Sequence, residues 1–268
     1  MTIDFVQIRP FFAIAGPCVI ESEELCLEIA EKVKAICEKL SMQYIFKASF
    51  DKANRSSVNS FRGPGIEKGL AVLKRVKNDV GVMVLTDVHS VSDVELCKDV
   101  VDVLQIPAFL CRQTDLLLAA GKSNCWVNIK KGQFVSPYDM KNAYDKVAAT
   151  GNKKIMLTER GTFWGYNNLV NDFRSLPIMA ETGALVVFDA THSVQLPGAG
   201  GTCSSGERRF ILPLARAAAA VGIDGLFIEV HPNPDAALCD GPNSLPLNEV
   251  EKVLRQTKEI WEYVKGLS

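Results

Sequence analysis

Tyr44-Ile45-Phe46-Lys47-Ala-Ser-Phe-Asp-Lys-Ala-Asn-Arg-Ser-Ser-Val-Asn-Ser-Phe-Arg-Gly-Pro-Gly65 decides the fold. A short apolar run reads as a buried strand. It opens into a loop that offers Lys47, Lys52, Arg55 and Arg62, with Asn54, Ser56 and Ser57 among them. Gly63-Pro64-Gly65 closes the loop as a turn. Taken alone, this is a solvated, charged loop. Taken as a phosphate site, it offers arginine forks, lysine point charges and neutral hydroxyl and amide donors. The rest of the chain favours the second reading, because the same arrangement recurs after almost every strand.

Strands are expected at Phe11–Gly16, Tyr44–Ser49, Val82–Asp87, Val101–Pro107, Cys125–Lys131, Lys154–Glu159, Ala184–Thr191 and Gly225–His231. Amphipathic helices are expected between them, at Glu23–Leu40, Ile66–Asn78, Val91–Asp99, Thr114–Ala120, Pro137–Ala148, Leu169–Glu181, Arg208–Val221 and Leu247–Gly266. In the first helix, Cys26, Ile29, Val33 and Ile36 recur at helical spacing. Eight strand–helix units in about 250 residues predict an α/β fold, a (β/α)8 TIM barrel. It would form a single domain over 1–268, with a short N-terminal extension at 1–10. An open doubly wound sheet would often carry a glycine-rich fingerprint after its first strand; here that strand runs into Ala15-Gly16-Pro17-Cys18.

Composition narrows the function. Thirty Lys and Arg balance 31 Asp and Glu, so nucleic acid and anionic membranes are not expected as main partners. At 47% hydrophobic the chain fills a full core. No apolar run reaches the roughly 18–20 residues of a membrane span, and Met1-Thr-Ile-Asp-Phe5 lacks the features of a secretory signal. A cytoplasmic location is expected. The eight cysteines, without CxxC pairs, read as reduced thiols, mostly buried.

A barrel gathers its active site at the C-terminal ends of its strands. Those ends read Cys18, Lys47, Asp87 with His89, Gln105, Lys130 with Lys131, Glu159 with Arg160, Asp189 with His192, and Glu229 with His231. Cys18, His192 and Glu229 come from three different strands, and Asp240 lies in the loop Leu238-Cys-Asp-Gly-Pro-Asn243. Thiolate, imidazole and carboxylate together suit a borderline divalent ion such as zinc or iron rather than magnesium. Dispersed ligands leave no spacing signature, and each histidine can equally be structural.

Several segments carry a resemblance that spans essentially the whole chain: Ala15-Gly-Pro-Cys-Val-Ile-Glu-Ser22, Phe46–Gly65, Leu104-Gln-Ile-Pro-Ala-Phe-Leu-Cys-Arg-Gln-Thr-Asp115, Asn128-Ile-Lys-Lys-Gly-Gln-Phe134, Thr158-Glu-Arg-Gly161, Gly165-Tyr-Asn-Asn-Leu-Val170, Asp189-Ala-Thr-His-Ser-Val-Gln195 and Phe227-Ile-Glu-Val-His-Pro232. The chain resembles the 3-deoxy-D-manno-octulosonate 8-phosphate synthases. These are barrels that condense phosphoenolpyruvate with arabinose 5-phosphate on the path to the Kdo sugar of lipopolysaccharide. Relatives that use erythrose 4-phosphate carry a Lys-Pro-Arg-Thr type motif where this chain has Lys52-Ala-Asn-Arg-Ser-Ser57.

The resemblance implies that Lys47, Lys52, Lys130 and Arg160 hold phosphoenolpyruvate, with Lys130 and Arg160 on its phosphate. Asn54, Arg55 and Ser56 would hold arabinose 5-phosphate. Arg112 would reach that phosphate from a neighbouring subunit of a homotetramer. Gln105 joins the expected substrate contacts, and Lys52, Lys130, Arg160 and His192 are the expected catalytic set. The substrates bring roughly five negative charges, which these cations are placed to meet. Cys18, His192, Glu229 and Asp240 would ligate one divalent ion, zinc, iron or manganese. Cys18 resembles the metal-requiring members, whereas Cys239-Asp-Gly-Pro242 looks more like the metal-independent ones. Every cysteine but Cys18 reads as structural. The rival readings are an erythrose 4-phosphate synthase, a non-catalytic phosphosugar-binding barrel, and a Schiff-base aldolase.

Overall fold

The computed structural model describes residues 7–8, 10–55, 57–199 and 204–267. Eight parallel strands form a closed barrel: β1 (Phe12–Gly16), β2 (Gln43–Lys47), β3 (Met83–Asp87), β4 (Val103–Ile106), β5 (Trp126–Lys130), β6 (Ile155–Glu159), β7 (Leu185–Asp189) and β8 (Gly225–His231). Each pairs in parallel with the next, and β8 returns to β1 in the register Phe12 to Gly225 and Gly16 to Glu229. A helix follows each strand: α1 (Glu23–Lys39), α2 (Ile66–Val80), α3 (Val91–Cys97), α4 (Thr114–Lys122), α5 (Met140–Ala148), α6 (Ser175–Ala180), α7 (Ile211–Val221) and α8 (Val250–Lys265).

Strand parity divides the core into two compartments. Side chains alternate faces along a strand. Outward residues such as Ala13, Phe46, Val84, Leu104, Val127, Leu157, Phe188 and Ile228 pack beneath the helices. Inward residues Phe12, Ile14, Ile45, Leu85, Val103, Met156, Val187 and Phe227 fill the barrel, with Ile8 packed against them. A parallel sheet covered on both faces needs such near-continuous apolar strands. The helices present matching stripes: α1 buries Cys26, Ile29, Ala30, Val33 and Cys37. Its N-cap, Ser22, accepts a hydrogen bond from the Leu25 amide at 3.1 Å, a contact worth about 1 kcal/mol.

The expected helix Leu169–Glu181 is corrected. Leu169–Val170 pairs antiparallel with Thr162–Phe163 as a short ribbon, and only Ser175–Ala180 is helical. The Asp172 carboxylate accepts from the Arg174 amide at 3.0 Å, fixing a turn where the helix was expected to continue. The fifth helix begins at Met140, with Pro137 in the turn before it.

Candidate functional site

Continuing each inward row by one step reaches polar side chains. Ile45 leads to Lys47, Leu85 to Asp87, Val103 to Gln105, Asn128 to Lys130, Val187 to Asp189 and Phe227 to Glu229. β1 contributes Gly16 at this level. A Cβ there would lie 2.0 Å from the Lys47 carbonyl oxygen, so the first two strands approach this closely only without a side chain. The polar ring opens into a cavity of about 490 Å3, lined by Lys47, Lys52, Asn54, Arg55, Asp87, His89, Gln105, Lys130, Arg160, Asp189, His192, Gln195, Cys239 and Asp240 among others. Beneath the lining residue Lys130 lies Phe227, with Lys130 Nζ 3.2 Å from the ring centroid.

One side of the cavity is cationic. Lys47, fully buried, binds Glu229 Oε1 at 2.7 Å and donates to the Cys18 carbonyl at 2.8 Å. Lys52 Nζ lies 3.7 Å from Asp87 and 4.0 Å from Glu229. Burial works to lower its pKa, but Cys18, Glu229 and Asp87 hold it well above the usual lysine range. Lys130 binds Asp189, yet burial outweighs that contact and pulls its ammonium down to about 8. Arg160 donates through Nη2 to Gln195 at 3.0 Å, while its Nη1 is buried without a partner among the described residues. Arg55 Nε is likewise buried and, among the described residues, unpartnered. Unpaired buried guanidinium donors are costly unless a ligand satisfies them.

The other side is a cluster of metal-ligand types. His192 Nδ1 meets Asp189 Oδ2 at 2.6 Å, which leaves Nε2 facing Glu229 Oε1 at 3.7 Å and Asp240 Oδ2 at 3.8 Å. A carboxylate behind one ring nitrogen orients the other for a metal. Asp189 is itself fixed by the Thr191 hydroxyl and amide and the His192 amide. Burial alone would raise the Glu229 carboxyl; Lys47, His192 and Lys52 bring it down to about 2. Glu229 Oε2 is buried and, among the described residues, lacks a hydrogen-bond partner. Cys18 Sγ lies 3.2 Å from Asp240 Oδ2 and 2.8 Å from Cys239 Sγ. Burial, then Cys239, Asp240 and Glu229, push the Cys18 thiol well above the usual range. A thiol set among carboxylates in this way calls for a cation.

The four expected ligands fall into two overlapping groups joined at Asp240: His192, Glu229 and Asp240, and Cys18 and Asp240 with Cys239 added. The donor set and the orphaned Glu229 oxygen fit a divalent ion of the zinc or iron kind.

Most of the expected site residues converge on this one cavity. Ser56 lies outside the described residues. Asn54 stands exposed at the rim. Arg112 is exposed, in the turn before α4, and is not among the residues lining this cavity. Gln105 faces inward, in a chain of hydrogen bonds that runs from Thr158 through Asn128 and Gln105 to Asp87, which also accepts from Ser49. Lys131 and Glu159 turn out of the barrel. Glu159 accepts from the amides of Arg160 and Gly161 and lies 3.6 Å from Lys131, so the pair shapes the loop that presents Arg160. His231 sits 3.8 Å from Glu21 and, unlike His89 and His192, is not among the residues lining the cavity.

Two residues are additions. Gln195 bridges Arg160 and Asp240; as a neutral side chain it gave the sequence reading no chemical signal. Cys239, expected to be structural, lies against Cys18 and Arg55. Its adjacency to Asp240 was the available clue.

A model described as the DAHP synthetase I family matches residues 7–266. A 2-dehydro-3-deoxyphosphooctonate aldolase of Syntrophotalea carbinolica is 60% identical over 264 residues, covering 98% of this chain and 95% of that protein. One from Desulfatibacillum aliphaticivorans is 61% identical over 247 residues, covering 92% and 90%. One from Geobacter sulfurreducens is 54% identical over 268 residues, covering 99% and 98%.

Proposed function

The chain belongs to the DAHP synthetase I family, and from that premise we propose that it is a 3-deoxy-8-phosphooctulonate synthase. It condenses phosphoenolpyruvate with D-arabinose 5-phosphate and water, releases phosphate, and serves Kdo and lipopolysaccharide biosynthesis. One observation carries the reading: unsatisfied cationic donors of Arg160 and Arg55 share a cavity with an oriented His192–Glu229–Asp240 cluster. Phosphate sites and a metal-ligand set in one barrel mouth suit the joining of two phosphorylated molecules. The relatives' names support arabinose 5-phosphate over the shorter aldose. Among the described residues no helix is long and apolar enough to cross a membrane, which agrees with soluble substrates.

Lys130 and Arg160 hold the phosphate of phosphoenolpyruvate, and Lys47 and Lys52 meet its carboxylate. C3 of the enol then lies against the aldehyde carbon of the open-chain sugar. Lys52, held charged by Cys18, Glu229 and Asp87, donates to the aldehyde oxygen as it gains charge. Water adds at C2, and phosphate leaves by C–O cleavage while Lys130 and Arg160 stabilise it. Arg55, Asn54 and Ser56 hold the sugar phosphate at the rim, and Arg112 reaches it from a neighbouring subunit of a homotetramer. Cys18, His192, Glu229 and Asp240 hold one divalent ion, zinc, iron or manganese. When bound, that ion supplies Lewis-acid polarisation of an oxygen.

The test is phosphate release from phosphoenolpyruvate with arabinose 5-phosphate, before and after chelation. Activity that vanishes with the metal and returns with added zinc, iron or manganese is expected. Activity in verified metal-free protein would keep the reaction and remove the metal; turnover with erythrose 4-phosphate alone would overturn the substrate.

A further inference from the structure

The contact between Cys18 and Cys239 has no role in the proposed condensation. The two sulfurs are 2.8 Å apart, well inside an ordinary van der Waals contact, although 221 positions separate the residues. Both side chains are buried, and with Val19 they form a small cluster at the edge of the cavity. Cys239 lines the cavity, which gives a small oxidant a route to it. Arg55 Nη1 donates to the Cys239 sulfur at 3.0 Å, so the cross-link would also free this guanidinium. Among the described residues the remaining cysteines, Cys26, Cys37, Cys97, Cys111 and Cys125, are buried elsewhere.

We propose that Cys18 and Cys239 form a reversible disulfide when hydrogen peroxide reaches the metal-free site. The Cys239 thiolate attacks one peroxide oxygen; a sulfur–oxygen bond forms, the oxygen–oxygen bond breaks and hydroxide leaves. The Cys18 thiol then gives up its proton as it attacks the oxidised sulfur; the sulfur–sulfur bond forms and the second hydroxide departs. The two hydroxides take up the two thiol protons as water, and two electrons pass from the sulfurs to peroxide. The disulfide withdraws the Cys18 thiolate and releases Arg55 from Cys239. Disulfide and bound ion are therefore mutually exclusive. That consequence rests on the proposed metal site, whereas the cross-link itself does not.

The experiment exposes chelator-treated full-length protein to hydrogen peroxide and quenches it with a thiol-alkylating reagent. Two of the eight cysteine thiols should disappear. Peptide mapping without reductant should join the peptides bearing Cys18 and Cys239, and dithiothreitol should separate them. Zinc added before peroxide should slow the cross-link at least tenfold. Cys239→Ser should form no cross-link and should leave Cys18 to progress to sulfinic acid. A cross-link to any other cysteine, or wild-type Cys18 oxidised singly, would overturn the proposal. So would an intact dithiol alongside cobalt charge-transfer absorption that halves in Cys239→Ser, because Cys239 would then be a metal ligand. Cross-linking that zinc does not slow would leave the disulfide standing and remove the metal from Cys18.

Discussion

Two layers of the barrel interior lie one inward step apart and do opposite work. The lower layer, Phe12, Ile14, Ile45, Leu85, Val103, Met156, Val187 and Phe227, is apolar and closed. The upper layer, Lys47, Asp87, Gln105, Lys130, Asp189 and Glu229, is as deeply buried and almost wholly polar. Two residues along a strand span only about 6.6 Å. Burial thus separates neither structure from function nor core from site. Hydrogen-bond bookkeeping does: the lower layer needs no partners, and the upper layer spends its charges on one another while leaving a few atoms open.

The sharpest way to break the contrast is to remove a charge. Lys47→Met should cost about 3–5 kcal/mol of stability and abolish activity, because it strips Glu229 of its ion-pair partner. Leu85→Ala, one strand away and a layer lower, should cost about 2–5 kcal/mol through its cavity while the folded fraction keeps its kcat. Denaturant unfolding and phosphate release on both variants decide it; a Leu85→Ala enzyme that folds but does not turn over would merge the layers.

Arg160→Ala should separate function from stability within the upper region. Among the described residues its Nη1 has no hydrogen-bond partner, so the fold loses little, whereas kcat/KM for phosphoenolpyruvate should fall about 10²–10³-fold. A large loss of stability with unchanged KM would assign Arg160 to the scaffold.

Arg112→Ala lies outside both layers. Loss of one charge-assisted contact, about 1.5–3 kcal/mol, should raise KM for the sugar phosphate roughly 10–100-fold. KM for phosphoenolpyruvate should stay unchanged; equal effects on both substrates would argue against a contact from a neighbouring subunit.

The smallest effect is a pH dependence. Lys130 carries its charge below about 8 and loses it above. Phosphate binding by the free enzyme should therefore weaken as pH rises through about 8, and a folded Lys130→Met variant should lack that limb. In the unfolded chain the same lysine keeps its proton up to its ordinary value of 10.5. Between about 8 and 10.5 the unfolded state binds the extra proton, so this lysine's contribution makes stability rise with pH over that window. Denaturant midpoints across it should rise in the wild type and less in the variant.

The eight strands and their polar ends were legible because apolar runs and strand-end chemistry are local. Faces were harder. Lys130 and Lys131 are adjacent, and so are Glu159 and Arg160, yet one of each pair turns inward and the other outward. A one-residue error in a strand end exchanges them. Convergence left no mark in local spacing and was expected only from the barrel and from the resemblance. The Cys18–Asp240 contact crosses 222 positions and depends on barrel closure between β1 and β8. Cys239 was overlooked for the same reason: nothing near it in sequence is Cys18. The lost half of the Leu169–Glu181 helix shows the remaining weakness, since a two-residue ribbon is too short to leave a period.

The Phe227 ring beneath Lys130 acts as the zero mark of a ruler. A ligand group resting on Lys130 above that ring can descend no further. Under the proposed reaction, one end of the assembled substrates is thereby pinned, and any difference in aldose length is displaced entirely to the mouth, where Asn54 and Arg55 stand. Discrimination between a four-carbon and a five-carbon sugar phosphate then becomes a matter of reach at the rim, and rim substitutions, not substitutions beneath Lys130, are the ones that would retune it.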